Sequence, residues 1–156
     1  MCSLVGLIVS LDQLTKWLTR ARLPVDGIEQ WSSWLTLAHI RNNGFGFGLI
    51  EKLPGSLQNL FFVAVPVFAL LLIIMIFIKS QDNDMLTSLA LTSILGGAVG
   101  NMIDRIEFGS VLDLLRIQVG QWQSPPFNIA DMAILIGVGL VFVSTLRLRK
   151  RGEGIV

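Results

Sequence analysis

Charge, cysteine, histidine and tyrosine are all scarce in this sequence, which has one cysteine, one histidine and no tyrosine in 156 residues. Cys2 has no partner for an internal disulfide, and a single thiol cannot build a cysteine-based metal cluster. The zinc motif HExxH needs two histidines, and only His39 is present. A net charge of +1 with no long basic run gives no sign of a nucleic-acid partner. We therefore expect no metal, no cofactor and no nucleic acid.

Apolar residues are abundant where charged residues are scarce. They make up 53% of the chain, and charged residues make up 15%, against roughly 25% in a soluble domain. A spanning helix needs about 20 mostly apolar residues. Four stretches qualify, at 1–18, 57–78, 85–103 and 127–146. The chain is thus predicted to be a single membrane domain, residues 1–156, that is mainly α with four transmembrane helices.

The segment 19–56 between the first two spans has a different pattern. WLTLAHIR alternates apolar and polar residues, as a short strand does. NNGFGFG follows, and its glycines are typical of a tight turn or a strand edge. Between the third and fourth spans, Pro125 and Pro126 predict a helix stop and restart.

Orientation in the membrane rests on the C-terminal tail. An even number of spans places both termini on one side, and RLRKR puts four basic residues directly after the last span. Other basic residues outnumber these on the opposite face, so the overall count does not decide. The compact cluster favours cytoplasmic termini. In the third span, Gly96 and Gly100 form a GxxxG pattern that predicts close helix packing.

Acids within or beside membrane spans are expensive and indicate function by default. The polar residues of this kind are Asp12, Asp104, Asp113, Asp131, Asn101 and Asn128. All but Asp12 lie at the same end of the third and fourth spans, so the predicted topology brings them to one membrane face. Helical spacing puts Asn101, Asp104 and Arg105 on one helix face.

A pair of carboxyl groups at that face offers hydrolytic chemistry. Asp113 lies 18 positions before Asp131, which is enough chain to bring the two together. Two close carboxylates cannot both ionise easily, so one holds a proton and the pair titrates as a unit. The ionised member can activate water while the protonated member polarises a peptide carbonyl. On spacing alone, proton or ion transport explains these acids equally well.

Four ordered motifs resemble the lipoprotein signal peptidase (signal peptidase II) family. DQLTK resembles its motif near the end of the first span, and RNNGFGFG its Asn-x-Gly segment. GGAVGNMIDRIEFGSVLDLL resembles the block with Gly-Asn, Asp-Arg and Val-x-Asp, and FNIAD the block that opens the last span. The sequence departs from the family at Phe45-Gly46, which replace a small pair, and at the leucine after Asp113.

The resemblance implies an aspartic endopeptidase that removes signal peptides from diacylglyceryl-modified bacterial prolipoproteins, just before the lipidated cysteine. It implies Asp113 and Asp131 as the catalytic pair. By position, the substrate-binding residues would be Asn42, Gly44, Asn101, Arg105 and Asn128. The structural polar residues would be Asp12, Lys16 and Asp104; the first two also have the favourable i, i+4 spacing of a helical ion pair.

The resemblance also implies a setting. The family fold has four helices and a small extracytoplasmic β-cradle between helices 1 and 2. The protein would be a monomer in the bacterial inner membrane, with its active site at the extracytoplasmic face and membrane lipids around it. Cyclic peptide antibiotics such as globomycin would inhibit it.

Two other kinds of protein would carry similar residues. A small proton-coupled transporter or channel would use the acids as a relay, and a membrane scaffold would use them to join helices. A presenilin-type protease is disfavoured because its Gly-x-Gly-Asp motif is absent.

Overall fold

Four helices and four short strands make up the part of the chain that the computed structural model describes, residues 2–42, 54–79 and 85–151. The helices are α1 (Cys2–Arg22), α2 (Gly55–Lys79), α3 (Met85–Phe108) and α4 (Ile129–Arg151). The strands are β1 (Ile28–Gln30), β2 (Leu35–Asn42), β3 (Val111–Val119) and β4 (Trp122–Gln123). Gly44 lies outside the described residues.

Helix α3 is the centre of the bundle and packs against each of the other three helices. Its glycines permit the close approach. A Cβ on Gly96 would lie 3.0 Å from the Cβ of Ile8, and one on Gly100 would lie 2.7 Å from Asp12 Oδ2, both on α1. On another face of α3, a Cβ on Gly97 would overlap the carbonyl oxygen of Ala130 in α4. The predicted GxxxG packing is confirmed.

The helices bury polar groups and expose apolar ones. Asp12, Lys16 and Asp104 are 0% exposed at the centre of the bundle. Large apolar side chains face outward, among them Phe68 and Met75 on α2 and Leu135 and Phe142 on α4. Such extensive exposed apolar surface is typical of a protein surrounded by lipid.

Two helices in the described ranges are long and apolar enough to cross a membrane by length and composition. They are Met85–Phe108, with a mean hydropathy of 1.5, and Ile129–Arg147, with 2.2. A shorter apolar stretch, Phe62–Ile73, lies within α2. Four membrane spans stay a prediction.

The strands form one antiparallel sheet in the order β1-β2-β3-β4. The strand predicted in WLTLAHIR is β2. The sheet is not confined to the segment between α1 and α2, because β3 and β4 come from the connection between α3 and α4, where no strand was predicted. The first four residues of β3 are all buried, so it lacks the alternation that reveals a half-exposed strand.

A glycine turn carries the chain from α3 into β3. Gly109 has φ of 67°, a conformation that glycine adopts without steric strain, and its N–H donates to the Arg105 carbonyl at 3.1 Å. Four residues later Asp113 pairs with Ile40 of β2 in the sheet register. The turn therefore brings Asp113 back beside the end of the helix that carries Asn101 and Arg105.

Candidate active site

Asp113 is held by two side-chain amides. Asn42, the last residue of β2, donates from Nδ2 to Asp113 Oδ2 at 2.8 Å. Asn128 donates from Nδ2 to Asp113 Oδ1 at 3.0 Å and to the Leu112 carbonyl at 3.2 Å. Asp113 is 1% exposed, so its carboxyl group is fixed within the protein rather than solvated.

Asp131 is positioned by the start of α4. The Asp131 N–H donates to Asn128 Oδ1 at 2.8 Å, and the Asn128 N–H donates to Asp131 Oδ2 at 3.2 Å. This reciprocal pair has the form of a capping box, in which the N-cap and third helical residues bond each other's backbone. The other oxygen, Asp131 Oδ1, accepts from Asn101 Nδ2 at 2.8 Å. The start of α4 and the end of α3 thereby define one carboxylate position.

Asn128 joins the two aspartates. Its Nδ2 bonds the Asp113 carboxyl group, and its Oδ1 bonds the Asp131 backbone. One completely buried amide therefore fixes the spacing of both acids. The sequence offered two interpretations of Asn128, as a helix N-cap and as an active-site residue. One set of hydrogen bonds fits both.

The environment of Asp113 favours its protonated form. Burial raises the pKa of Asp113 from 3.8 to about 6, against the lowering effect of the Asn42 hydrogen bond. The negative charge of Asp131 raises this pKa further, whereas Asn128 and Lys16 lower it. Because burial dominates, Asp113 holds its proton to a higher pH than an ordinary carboxyl group does.

A buried ionic cluster of Asp12, Lys16 and Asp104 is bonded to residues next to the two aspartates. Lys16 Nζ lies 2.8 Å from Asp12 Oδ2 and 3.1 Å from Asp104 Oδ2. The Asp12–Lys16 ion pair expected from their spacing is thus present. Asp12 Oδ1 accepts the Ala130 N–H at 2.9 Å, and Asp104 Oδ2 accepts the Leu112 N–H at 2.9 Å. The cluster ties α1 and α3 to the chain immediately beside each aspartate.

Arg105 has an N–H donor, at Nε, that makes no hydrogen bond within the described residues. Its Nη1 donates to the Asn101 carbonyl at 3.1 Å, and its guanidinium carbon lies 4.9 Å from the centre of the Phe62 ring. Its buried Nε has no hydrogen-bond partner within the described residues. An unsatisfied buried N–H is costly, so it is a ready donor for a ligand that enters the site.

The structure brings together most of the residues singled out in the sequence. The candidate site consists of Asn42, Asn101, Arg105, Asn128, Asp113 and Asp131. Sequence reasoning missed Phe62, Gln13 and Arg20. Arg20 follows Lys16 by one helical turn and bonds Asp104 at 3.0 Å, so its spacing was a usable signal. Phe62 lies in an apolar run that gave none.

No group of three or more histidine, cysteine, aspartate or glutamate residues suited to a metal ion occurs across 2–42, 54–79 and 85–151. The donors that the site does offer are carboxyl, amide and guanidinium groups.

A helical bundle with apolar outer faces and two amide-held aspartates defines a membrane-embedded protein with an aspartic-peptidase type of site. Residues 4–147 match the family model described as signal peptidase (SPase) II. The chain is 37% identical over 152 residues to the lipoprotein signal peptidase of Syntrophus aciditrophicus, covering 93% of this chain and 91% of that protein. It is 40% identical over 149 residues to that of Burkholderia thailandensis, covering 95% and 88%. The chain belongs to the signal peptidase II family.

Solved structures agree with this assignment. A bacterial membrane enzyme solved by the in meso method superposes with a TM-score of 0.82 at 28% identity, over 93% of this chain and 91% of that one. A second such structure gives a TM-score of 0.83 at 27% identity, over 97% and 90%. The protein is therefore a bacterial membrane protease.

Proposed function

We propose that this protein removes the signal peptide from diacylglyceryl-modified prolipoproteins, cutting just before the lipidated cysteine, with Asp113 and Asp131 as its catalytic dyad. The observation that carries the dyad is the bonding of Asn128 to both aspartates. That bonding places the buried Asp113 and the half-buried Asp131 on either side of one residue, a pairing that suits a water-activating peptidase.

The proton is assigned to Asp113 and the negative charge to Asp131. Asp131 takes a proton from water as the water oxygen bonds to the scissile carbonyl carbon. Asp113 gives its proton to the carbonyl oxygen, which produces a neutral diol. As the C–N bond breaks, Asp131 passes its proton to the leaving amine and a hydroxyl proton returns to Asp113. Both acids end in their starting state.

The surrounding amides and the guanidinium group position the reactants. Asn42 and Asn128 orient the Asp113 carboxyl group, and Asn101 orients that of Asp131. The unpartnered Nε of Arg105 is assigned to a backbone carbonyl of the substrate, because arginine presents several donors and no acceptor. Gly44, which lies outside the described residues, is assigned to substrate binding on the family motif alone.

The proposed setting is four transmembrane helices with both termini in the cytoplasm. The site then lies at the extracytoplasmic face, because its helical residues are at the end of α3 and the start of α4. The sheet lies at the same end, where Trp31, Trp34 and Trp122 have exposed rings suited to a membrane interface. A monomer surrounded by lipid, inhibited by cyclic peptides such as globomycin, completes the proposal.

The test is cleavage of a diacylglyceryl-modified prolipoprotein by purified protein in detergent micelles. Wild type should cut before the lipidated cysteine, whereas Asp113→Asn and Asp131→Asn should be inactive while unfolding at temperatures close to wild type. Asp26→Asn is the matched control, because Asp26 is exposed and its φ of 63° is one that asparagine also tolerates. An inactive wild type would contradict the function, and proton flux in liposomes would then support a transporter. Activity in either folded dyad variant would contradict the dyad alone.

A further inference from the structure

A buried lysine is connected to one of the two aspartates through a single amide. Lys16 Nζ donates to Asn101 Oδ1 at 3.1 Å, and Asn101 Nδ2 donates to Asp131 Oδ1 at 2.8 Å. Asn101 is 6% exposed, and Lys16 is fully buried. The chain of bonds therefore runs from the core of the helix bundle to the carboxyl group assigned as the base.

We propose that Lys16 is a positioning residue for Asp131, acting through Asn101 to hold this carboxyl group in place. This inference rests on the proposed function for its kinetic consequence, but its structural consequence does not.

The chemistry of the lysine fixes the orientation of the asparagine. An ammonium group has three donors and no acceptor, so only the oxygen end of the Asn101 amide can face it. The nitrogen end must then point away from Lys16, towards Asp131. Without the lysine, the Asn101 amide loses one of its two anchors and is held only by its bond to Asp131.

All the donors of Lys16 are in use. Two reach Asp12 and Asp104, and the third reaches Asn101. The ammonium group therefore has a fixed position and cannot reorient without breaking a buried ion pair. Breaking such a pair is strongly destabilising, so the orientation of Asn101 is set by a fully buried and fully bonded group.

The effect on Asp131 passes through the hydrogen bond rather than through a net charge. Lys16 and Arg20 are balanced by Asp12 and Asp104, which makes the cluster neutral overall. The charge-assisted bond to Asn101 polarises this amide, and bonds in such a chain strengthen one another in a low-dielectric interior. A stronger donor at Nδ2 holds the Asp131 carboxyl group more firmly. Among the described residues, Asp113 and Arg105 are charged groups that also interact with Asp131.

The variant must remove the ammonium without leaving two unpaired acids in the core. Asp12→Asn/Lys16→Gln does this, because Asp104 then stays balanced by Arg20. Its reference is Asp12→Asn alone, so that every difference reports on Lys16. Thermal unfolding checks that the double variant and its reference are both folded. Lys16→Arg in the wild-type background keeps the charge and the donors, so it should retain the function of Lys16.

Kinetics provide the first readout. Relative to Asp12→Asn, the double variant should lose kcat by about tenfold to a hundredfold, the loss typical of a misplaced reacting group, with KM within about twofold. In an Asn101→Ala background, removal of Lys16 should have no further effect, because the two residues act through one bond. Multiplicative losses, or an unmoved kcat, would overturn the proposal.

Hydrogen exchange provides a readout that does not need activity. The side-chain amide protons of Asn101, followed by NMR and assigned with Asn101→Ala, should exchange with solvent faster in Asp12→Asn/Lys16→Gln than in Asp12→Asn, because the amide has lost one of its two anchors. An unchanged exchange rate would refute the role of Lys16 even if the protein cut no prolipoprotein. Absence of cleavage by wild type with faster exchange in the double variant would refute the proposed function only.

Discussion

Asn128 combines two tasks that simple substitutions can separate. Its Oδ1 caps α4 by accepting the Asp131 N–H, and its Nδ2 donates to Asp113. A serine at this position keeps a cap oxygen but has no amide nitrogen. The stability and the activity of the protein should therefore respond differently to different replacements.

We expect Asn128→Ala to lose about 1 kcal/mol of unfolding free energy, the usual value of an N-cap, together with most of the activity. Asn128→Ser should unfold within a few degrees of wild type and yet cleave at least about tenfold more slowly, because the Asp113 carboxyl group is then no longer held in the reacting position. Thermal unfolding and prolipoprotein cleavage measure the two effects. Near wild-type activity in the serine variant would show that the Asn128–Asp113 bond does not matter.

The pH profile of kcat/KM should identify which aspartate carries the proton. The pKa of Asp113 is about 6, because burial disfavours its charged form. If Asp113 acts as the acid, kcat/KM falls as the pH rises through about 6, as its proton is lost. A profile that instead rises through this pH would make Asp113 the base and reverse the assignment.

Folding stability should follow the same group with a definite sign. The folded-state pKa of Asp113 is raised above its unfolded value of 3.8, so the folded form binds this proton more tightly. The contribution is complete below pH 3.8 and is lost as the pH rises through about 6. Unfolding temperatures of wild type relative to Asp113→Asn should fall across that window. A difference that is constant with pH would contradict the raised pKa.

Arg105 should contribute to substrate binding through its free donor and its position. Arg105→Lys keeps the charge but loses the fork of donors and weakens the contact with Phe62. We expect the unfolding temperature to be nearly unchanged and KM to rise about fivefold or more, since a hydrogen bond contributes roughly 1 kcal/mol. Phe62→Leu should reproduce part of the rise in KM, whereas Phe68→Leu, which faces outward, is the control. An unchanged KM in Arg105→Lys would exclude the substrate contact.

Residue types and spacing predicted that Asp113, Asp131, Asn101 and Asn128 would converge, and the structure places these residues together. The choice between a peptidase and a transporter needed the order of the motifs. Which hydrogen bonds the asparagines make could not be read from the sequence, because those bonds link positions such as Asn42 and Asp113 that lie 71 residues apart.

The close packing of α1 against α3 depends on glycine. Gly100 lets the Asp12 carboxylate lie against α3, where Gln13 Nε2 also reaches the Gly100 carbonyl at 3.0 Å. The interface thus carries both close packing and buried polar bonds.

Gly100→Ala should separate the helices, because its Cβ would lie 2.7 Å from Asp12 Oδ2. Overpacking of this kind typically lowers the unfolding free energy by about 1–3 kcal/mol, and displacement of Asp12 should also lower activity. Gly139→Ala is the matched control, because nothing lies within 4 Å of its added Cβ in α4. Unfolding in detergent measures both. Equal behaviour of the two variants would show that the contact is easily relieved.

Elements with strong apolar runs were the easiest to predict, as α2 and α4 illustrate. Strand β3 was missed because tertiary burial covers both faces of Val111–Leu114, which removes the period of two. Its pairing with β2 also brings together segments far apart in the chain, and no local pattern encodes that partner.

The membrane topology of the whole molecule can be tested by cysteine labelling, because the sequence has a single native cysteine that can be replaced. In a Cys2→Ser background, Ser33→Cys in the turn before β2 should react with an impermeant maleimide in intact spheroplasts. Gly154→Cys in the basic tail should react only after permeabilisation, because the termini are predicted to be cytoplasmic. Cleavage activity of each variant confirms its fold, and the reverse labelling pattern would contradict the proposed orientation.

The position of Asn128 near the end of the chain has a consequence for biogenesis. A nascent chain that has been synthesised only as far as β4 already contains Asp113 and Asn42, yet it lacks Asn128, the amide that links this acid to its partner, and it lacks Asp131. Both arrive together with the first turn of α4. With the proposed dyad, the protein would be inert until its last helix has joined the bundle.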